Sequence, residues 1–547
     1  MKKYLLVLVS LCCALLPALA EHPEYPELKK SDANIIGHVL DKKTSEHLPY
    51  ITIALKGTTI GTVTDATGHY FLKNLPEGNF MMEVSSVGYK TVTRSVTLKK
   101  GKTLEENFEL EEDAIALDGV VVSANRSETT RRLAPTLVNV VDLKLFETTN
   151  SSTLSQGLNF QPGVRVETNC QNCGFQQVRI NGLDGPYTQI LIDSRPVFSA
   201  LSGVYGLEQI PASMIERVEV MRGGGSALFG SSAIAGTINI ITKEPLRNSG
   251  QLSHTITSIG GSSAFDNNTS LNASLVTDDH RAGLYIFGQN RHRSGYDYDG
   301  DGFTELPKLK NQTVGFRSYL KTSTYSKLTF EYHHMQEFRR GGDMLDRPPH
   351  EAHIAEQLQH SIDGGSLKYD YFSPNEKNRL SVFASAANTD RDSYYGPGND
   401  PLKAYGKTTD LTAMGGVQYV HTFDKCLFMP SDLTAGLEYN RDRLKDNMWG
   451  YDRHTDQTVN IYSAFLQNEW KNDRWGILIG GRLDKHNMVD NVIFSPRANL
   501  RFNPTQNINL RLSYSSGFRA PQAFDEDMHI ENVGGTVAMI ERAKNLK

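Results

Sequence analysis

The most restrictive feature is a set of long segments in the second half of the chain in which apolar and polar residues strictly alternate. Leu433, Ala435, Leu437 and Tyr439 alternate with Asp432, Thr434, Gly436 and Glu438. Phe494, Pro496, Ala498, Leu500 and Phe502 alternate with Ser495, Arg497, Asn499 and Arg501, and Ile508, Leu510, Leu512 and Tyr514 with Asn509, Arg511, Ser513 and Ser515. A period of two places one face in apolar surroundings and the other in polar ones. Segments of this kind, joined by turns as short as Asn503–Asn507, are what a transmembrane β-barrel requires, because closure pairs every backbone group in lipid. The longer connections, 291–310, 338–360, 394–409 and 441–458, are strongly polar and would lie on the opposite, outward side.

An exported chain fits this reading. Lys2 and Lys3 precede an apolar run from Tyr4 to Ala20 that ends in Ala18-Leu19-Ala20, the pattern of a removable signal peptide over residues 1–20. With 57 Lys+Arg against 62 Asp+Glu and a net charge of -5, the chain lacks the basic field that a nucleic-acid partner needs.

Residues 34–112 carry short β-type runs separated by Asp65-Ala66-Thr67-Gly68 and Pro76-Glu77-Gly78, which predicts a small β-sandwich. An acidic run at Glu109–Asp113 then leads into Ala116-Leu117-Asp118-Gly119-Val120-Val121-Val122. This β-branched segment between charged flanks suits a peptide that adds itself to another protein's sheet edge, or else a last strand of the sandwich. Residues 127–245 read as mixed α/β, with strands at Val164–Val166, Val178–Ile180, Gln189–Ile192, Val218–Val220 and Ile234–Ile241 and a short helix carrying Leu154, Leu158 and Phe160. Gly225–Ser232 has the glycine spacing of a phosphate-binding loop, but Ser231 stands where the lysine belongs. His350-Glu351-Ala352-His353 lacks the spacing of a zinc protease. Cys170-Gln171-Asn172-Cys173 has no second pair in the sequence to complete a metal site, so it reads as a local disulfide or two free thiols.

These segments resemble known families. Gly37-His38-Val39, Gly61-Thr62-Val63-Thr64-Asp65 and Val87-Gly88-Tyr89 are similar to the carboxypeptidase regulatory-like domain. Residues 158–164, Val178-Arg179-Ile180-Asn181-Gly182, Ile215–Gly223 and Gly230–Lys243 resemble the plug of TonB-dependent outer-membrane transporters. The resemblance implies a mainly β protein: an N-terminal β-sandwich (34–112), a linker with a Ton box (113–126), a mixed α/β plug (127–245), and, over 246–547, part of a roughly 22-stranded antiparallel transmembrane β-barrel. At roughly 25 residues per strand, this last segment holds about a dozen strands, so the barrel reads as incomplete. The location implied is the Gram-negative outer membrane.

Implied partners are TonB, outer-membrane lipid, a small bulky ligand such as a ferric siderophore or cobalamin, and in one variant a surface lipoprotein. TonB would contact Ala116, Leu117, Asp118, Val120, Val121 and Val122. No catalytic residue and no resident cofactor are implied. Alternatives are a glycan importer, a non-transporting signalling receptor, and a haem receptor, the last because His529 follows Phe518-Arg519-Ala520-Pro521.

Two ligand sites follow from placement. Thr168–Gln176 and Ser194–Gly206 can lie at the plug apex, making Arg195, Phe198 and Tyr205 ligand contacts unless they pack on the barrel wall. In the outer loop, Asp297, Asp299, Asp301 and Glu305 offer carboxylates at alternate positions for calcium. The same residues also make ordinary turns, and Lys308 stands where an EF-hand needs its bidentate glutamate.

Overall fold

In this computed structural model, residues 30–539 are described, apart from 66, 87–88, 113–119, 125, 127–128, 196–207, 209, 398–403, 506–507 and 534–535. The signal peptide, Ala116, Leu117, Asp118, Phe198 and Tyr205 lie outside the described residues.

The N-terminal strands are β1 (Lys30–Asp41), β2 (Thr52–Leu55), β3 (Gly61–Val63), β4 (His69–Pro76), β5 (Gly78–Ser85), β6 (Val92–Leu98), β7 (Thr103–Glu105) and β8 (Phe108–Leu110). One sheet places β4 beside β1, with β7 and β8 both parallel to β1; the other runs β3-β2-β5-β6. Alternate residues point between the sheets, so Ile35, Val39, Ile53, Leu55, Leu72, Met82, Val84, Phe108 and Leu110 form one buried core. The run Leu104–Leu110 thus divides into two strands, broken at Glu106-Asn107, where the chain passes from one stretch of β1 to the next.

Next come β9 (Val120–Val121), β10 (Thr129–Thr130), β11 (Val138–Asp142), α1 (Leu143–Thr148), α2 (Leu154–Leu158), β12 (Val164–Cys170), β13 (Phe175–Ile180), β14 (Thr188–Ile192), β15 (Ile215–Arg222) and β16 (Gly236–Thr242). The central sheet has the order β11-β15-β16-β14, while β12 and β13 form a separate hairpin. β15 and β16 are the central strands, with Val218, Val220, Ile238 and Ile240 at the centre of the core and Glu216, Arg217, Glu219 and Arg222 interrupting the apolar pattern of β15. In α2, Leu154 and Leu158 enter this core, but Phe160 falls beyond the helix end and is exposed.

The remaining strands are β17 (Ser249–Ser258), β18 (Phe265–Val276), β19 (Ala282–Arg293), β20 (Lys308–Ser323), β21 (Ser326–Gly342), β22 (Ile354–Phe372), β23 (Asn378–Pro397), β24 (Tyr405–Cys426), β25 (Met429–Met448), β26 (Arg453–Lys471), β27 (Trp475–His486), β28 (Ile493–Thr505) and β29 (Ile508–Ser515). They form a single 13-stranded sheet in sequence order, each strand antiparallel to the next. The alternation resolves as its period requires: Leu437 is 65% exposed and Leu512 71%, whereas Arg497 is 3% and Arg501 0%. Apolar side chains therefore stand on the exposed outer face and polar ones on the face toward the plug, the division that a transmembrane barrel requires. At the short-turn end, Trp470 stacks on Phe428 and Trp475 on Phe502, as an interfacial aromatic girdle does.

The polar stretches are less loop-like than their composition predicts. Arg441–Met448 continues β25 and pairs with Arg453–Asn460 of β26 across a four-residue connection. A 22-residue strand such as β24 is about 70 Å long, far more than an apolar band of about 25 Å needs. Hairpins that project beyond the lipid have no reason to be apolar outside, so polarity there marks depth and not the end of a strand.

Candidate functional site

The direction of the plug within the wall follows from its connections. β16 runs toward the start of the barrel, and Glu244 just beyond it pairs with Lys327 at the short-turn end of β21, 2.7 Å away. Because β14 is parallel to β16, its last residues also lie at that end. Asp193 there accepts from Thr242 Oγ1 at 2.6 Å and pairs with Arg317 of β20 at 2.5 Å. Arg195 is 8% exposed, with its guanidinium over the Phe383 ring at 4.5 Å. Arg195 is therefore packed on the wall in the short-turn half, away from the long loops.

Glu208 lies at the opposite end. It meets Arg293 at 3.1 Å, Arg339 at 2.8 Å and Arg291 at 3.5 Å, all in the long-loop half of the wall. Burial pushes the Glu208 carboxyl up, but Arg293, Arg339 and Arg291 outweigh it and hold it near 2. Arg339 is itself bound by Glu337 at 2.7 Å and Arg291 by Asp266 at 2.6 Å, so the cluster distributes charge between plug and wall.

The segment proposed to meet TonB ends inside the plug. Val121 is fully buried, pairs with Thr129, and packs with Ala124, Val138, Leu191, Met221 and Phe229. The backbone N–H groups of Val122 and Ser123 both donate to Glu219 Oε2 at 2.9 Å, and Ser123 Oγ donates to the same oxygen at 2.7 Å. Glu219, fully buried on β15, is also held by Arg217 Nε at 3.0 Å. Asn239 on β16 joins Ser123 Oγ to Ser194, donating at 2.9 Å and accepting from the Ser194 N–H at 2.7 Å. Three residues on, Arg126 binds Glu438 of the wall, which also accepts from Arg482 at 2.7 Å. A β-branched run looks the same whether it waits for a partner or is already paired. Glu219, 96 residues from Ser123, is what ties it down, and local sequence carries no sign of that.

In the β19–β20 loop, oxygens of Asp297, Asp299 and Glu305 lie within 4.8 Å of one another. Asp301 is not in this group; its carboxylate caps the Phe303 N–H at 2.8 Å. Asp297 likewise accepts from Gly300 and Gly302, and Glu305 from Tyr298, so backbone donors already serve these oxygens. Gly302 has φ +93°, a conformation that suits glycine at this turn.

The phosphate-loop spacing at 225–232 also has a packing explanation. Ser226–Phe229 is a buried four-residue helical turn that Gly230 ends at φ +81°, and a Cβ on Gly224, just ahead of this stretch, would lie 2.1 Å from Ser515 Oγ. The glycine lets the plug approach the end of β29. His529 is not a solvated loop residue. It is 8% exposed, with its ring 5.1 Å from Phe175 and 5.4 Å from Tyr395.

Three family descriptions match: a CarboxypepD_reg-like domain over residues 35–122, a TonB-dependent receptor plug domain over 130–237, and a TonB dependent receptor-like β-barrel over 240–547. The chain is similar to the vitamin B12 transporter BtuB of Vibrio vulnificus (strain CMCP6), 25% identical over 424 residues, which cover 75% of this chain and 64% of that protein. Among solved structures it is similar to the siderophore receptor PirA from Acinetobacter baumannii, with TM-score 0.62 and 20% identity over 72% of this chain and 62% of the other. It is also similar to the ferric enterobactin receptor PfeA from Pseudomonas aeruginosa, with TM-score 0.59 and 19% identity over 72% and 63%. At these identities the structural likenesses establish the fold. The chain spans just under two thirds of the curated relative.

Proposed function

Because this chain belongs to the TonB-dependent receptors, we propose that it serves energy-coupled uptake of a scarce, bulky nutrient across the outer membrane, a ferric siderophore or cobalamin. In this reading it catalyses no bond chemistry. Its partners are TonB, lipid and the nutrient, and its work is to hold the plug shut until TonB pulls.

The observation that carries the reading is the anchorage of Val121–Ser123. A pull on the residues before Val120 would be delivered through Ser123 to Glu219 and Asn239, the middle of the plug sheet, and through Arg126 to Glu438 on the wall. Force applied there bears on the strands that fill the lumen. The similarity to a vitamin B12 transporter and to siderophore receptors supports the two nutrient classes.

The test belongs at Leu117 and not at Val121. Proline at Val121 would also disturb the plug core, since that side chain is fully buried. In cells producing the receptor, Leu117→Pro should abolish uptake of labelled cyanocobalamin or ferric siderophore while surface binding persists. Uptake at the parental rate would refute energy coupling through this segment.

A further inference from the structure

Cys170 and Cys173 are unbridged, and the fold supplies what the sequence around them lacks. Cys170 ends β12, and the N–H of Gly174 donates to the Cys170 carbonyl at 3.0 Å, closing a turn that brings the two thiols together. The hairpin tip presses on the long-loop end of the wall: a Cβ on Gly341 of β21 would lie 1.8 Å from the Asn172 carbonyl oxygen, an approach that only glycine permits. This contact sets the thiols beside Glu356 near the start of β22, whose Oε2 accepts from Cys170 Sγ at 3.1 Å. His529, from the segment after β29, completes the group. One ligand atom from each of Cys170, Cys173, Glu356 and His529 lies within 4.8 Å of the other three. His529 is 8% exposed, and its imidazole meets the Cys170 thiol of this group. Phe175, Leu358, Tyr395, Met448 and Ile530 wrap the cluster.

We infer that Cys170, Cys173, Glu356 and His529 form a closed, four-coordinate site for a thiophilic divalent transition-metal ion of the zinc class. Two sulfurs exclude calcium and magnesium as the natural occupant, and a carboxylate with an imidazole suits a divalent ion better than copper(I). With bonds of about 2.0–2.3 Å, tetrahedral ligands sit roughly 3.3–3.8 Å apart, so a spread of 4.8 Å closes by side-chain rotation alone. The apolar wrapping and four protein ligands leave no open position for substrate, which makes the site structural. The ion takes both cysteines as thiolates and joins the plug hairpin, a wall strand and the segment beyond β29. The inference does not depend on which nutrient is carried.

The receptor, purified in detergent under reducing, oxygen-free conditions and equilibrated with zinc, should retain one ion per chain by elemental analysis. Cobalt should give the sulfur-to-metal charge-transfer and intense visible bands of a tetrahedral thiolate site. C170S/C173S and H529A should lose both signals, E356Q should bind more weakly than the parent, and C426S should match the parent. Native migration of each variant in unheated gels controls for folding, and the parent's cobalt spectrum decides the matter if a variant does not fold. Absence of thiolate bands in the parent, or unchanged stoichiometry in C170S/C173S, would each overturn the site.

Discussion

Glu219 and Glu208 are both buried carboxylates of the plug, and their partners give them different tasks. Glu219 serves three donors from the 122–123 segment, and charge-assisted hydrogen bonds of this kind contribute about 1.5–3 kcal/mol each. E219Q keeps the shape but not the charge. Amide exchange at Val122 and Ser123 should then accelerate by roughly tenfold or more, since about 1.4 kcal/mol corresponds to one decade. Exchange at the parental rate would show that core packing of Val121 holds the segment by itself. Glu208 instead neutralises three arginines at the seam, and its loss leaves buried positive charge, so E208Q should destabilise the seated plug by about 3 kcal/mol. Its pH dependence has a definite sign. The folded-state value near 2 is below the ordinary one, so the stabilisation is complete above about pH 4.5 and disappears as pH falls toward 2. Thermal unfolding in detergent at pH 6 and pH 3 should show a larger drop for the parent than for E208Q; equal drops would remove Glu208 from the account.

Among the elements, the β19–β20 loop shows how much a pattern can promise. Carboxylates at alternate positions converge for Asp297, Asp299 and Glu305, while Asp301 is turned to its own backbone. If the three hold calcium, calorimetry on the receptor should detect binding that D299N abolishes and D301N leaves intact. Heat-silent titration at millimolar calcium would leave the loop as a turn. The plug hairpin β12–β13 offers the converse case. C-x-x-C alone has half a metal site, and its second half comes from residues 186 and 359 positions beyond Cys170, brought there by a wall that alternates on schedule.

For the whole molecule, the sandwich has its own core and touches the rest lightly. Thr59 N–H donates to the Thr324 carbonyl at 2.9 Å, Gly57 lies against Glu376, and Arg247 stacks over Tyr50 at 4.2 Å, all at the short-turn end of the wall. Deleting 34–112 should therefore leave the thermal unfolding of plug and wall within about 1 kcal/mol of the parent, the scale of exposed contacts. A larger loss would mean that the sandwich props the plug.

Period-two alternation was legible in sequence because lipid and a polar lumen impose opposite demands on neighbouring residues; Leu512 outward and Arg511 inward need no tertiary knowledge. The sandwich runs and the apolar positions of β15 and β16 were legible for the same local reason. Whether Val121 was free or docked could not be read, because the deciding group is Glu219 on another strand. Nor could the short-turn location of Arg195, which follows from β14 being parallel to β16. The polar extensions of β24 and β25 were hidden because hydropathy reports the surrounding medium and not the pairing. Local chemistry determined which segments could be strands and which face each residue presented. The tertiary structure alone decided which distant charges and ligands would meet, because those meetings depend on strand direction and on the depth at which plug and wall are registered.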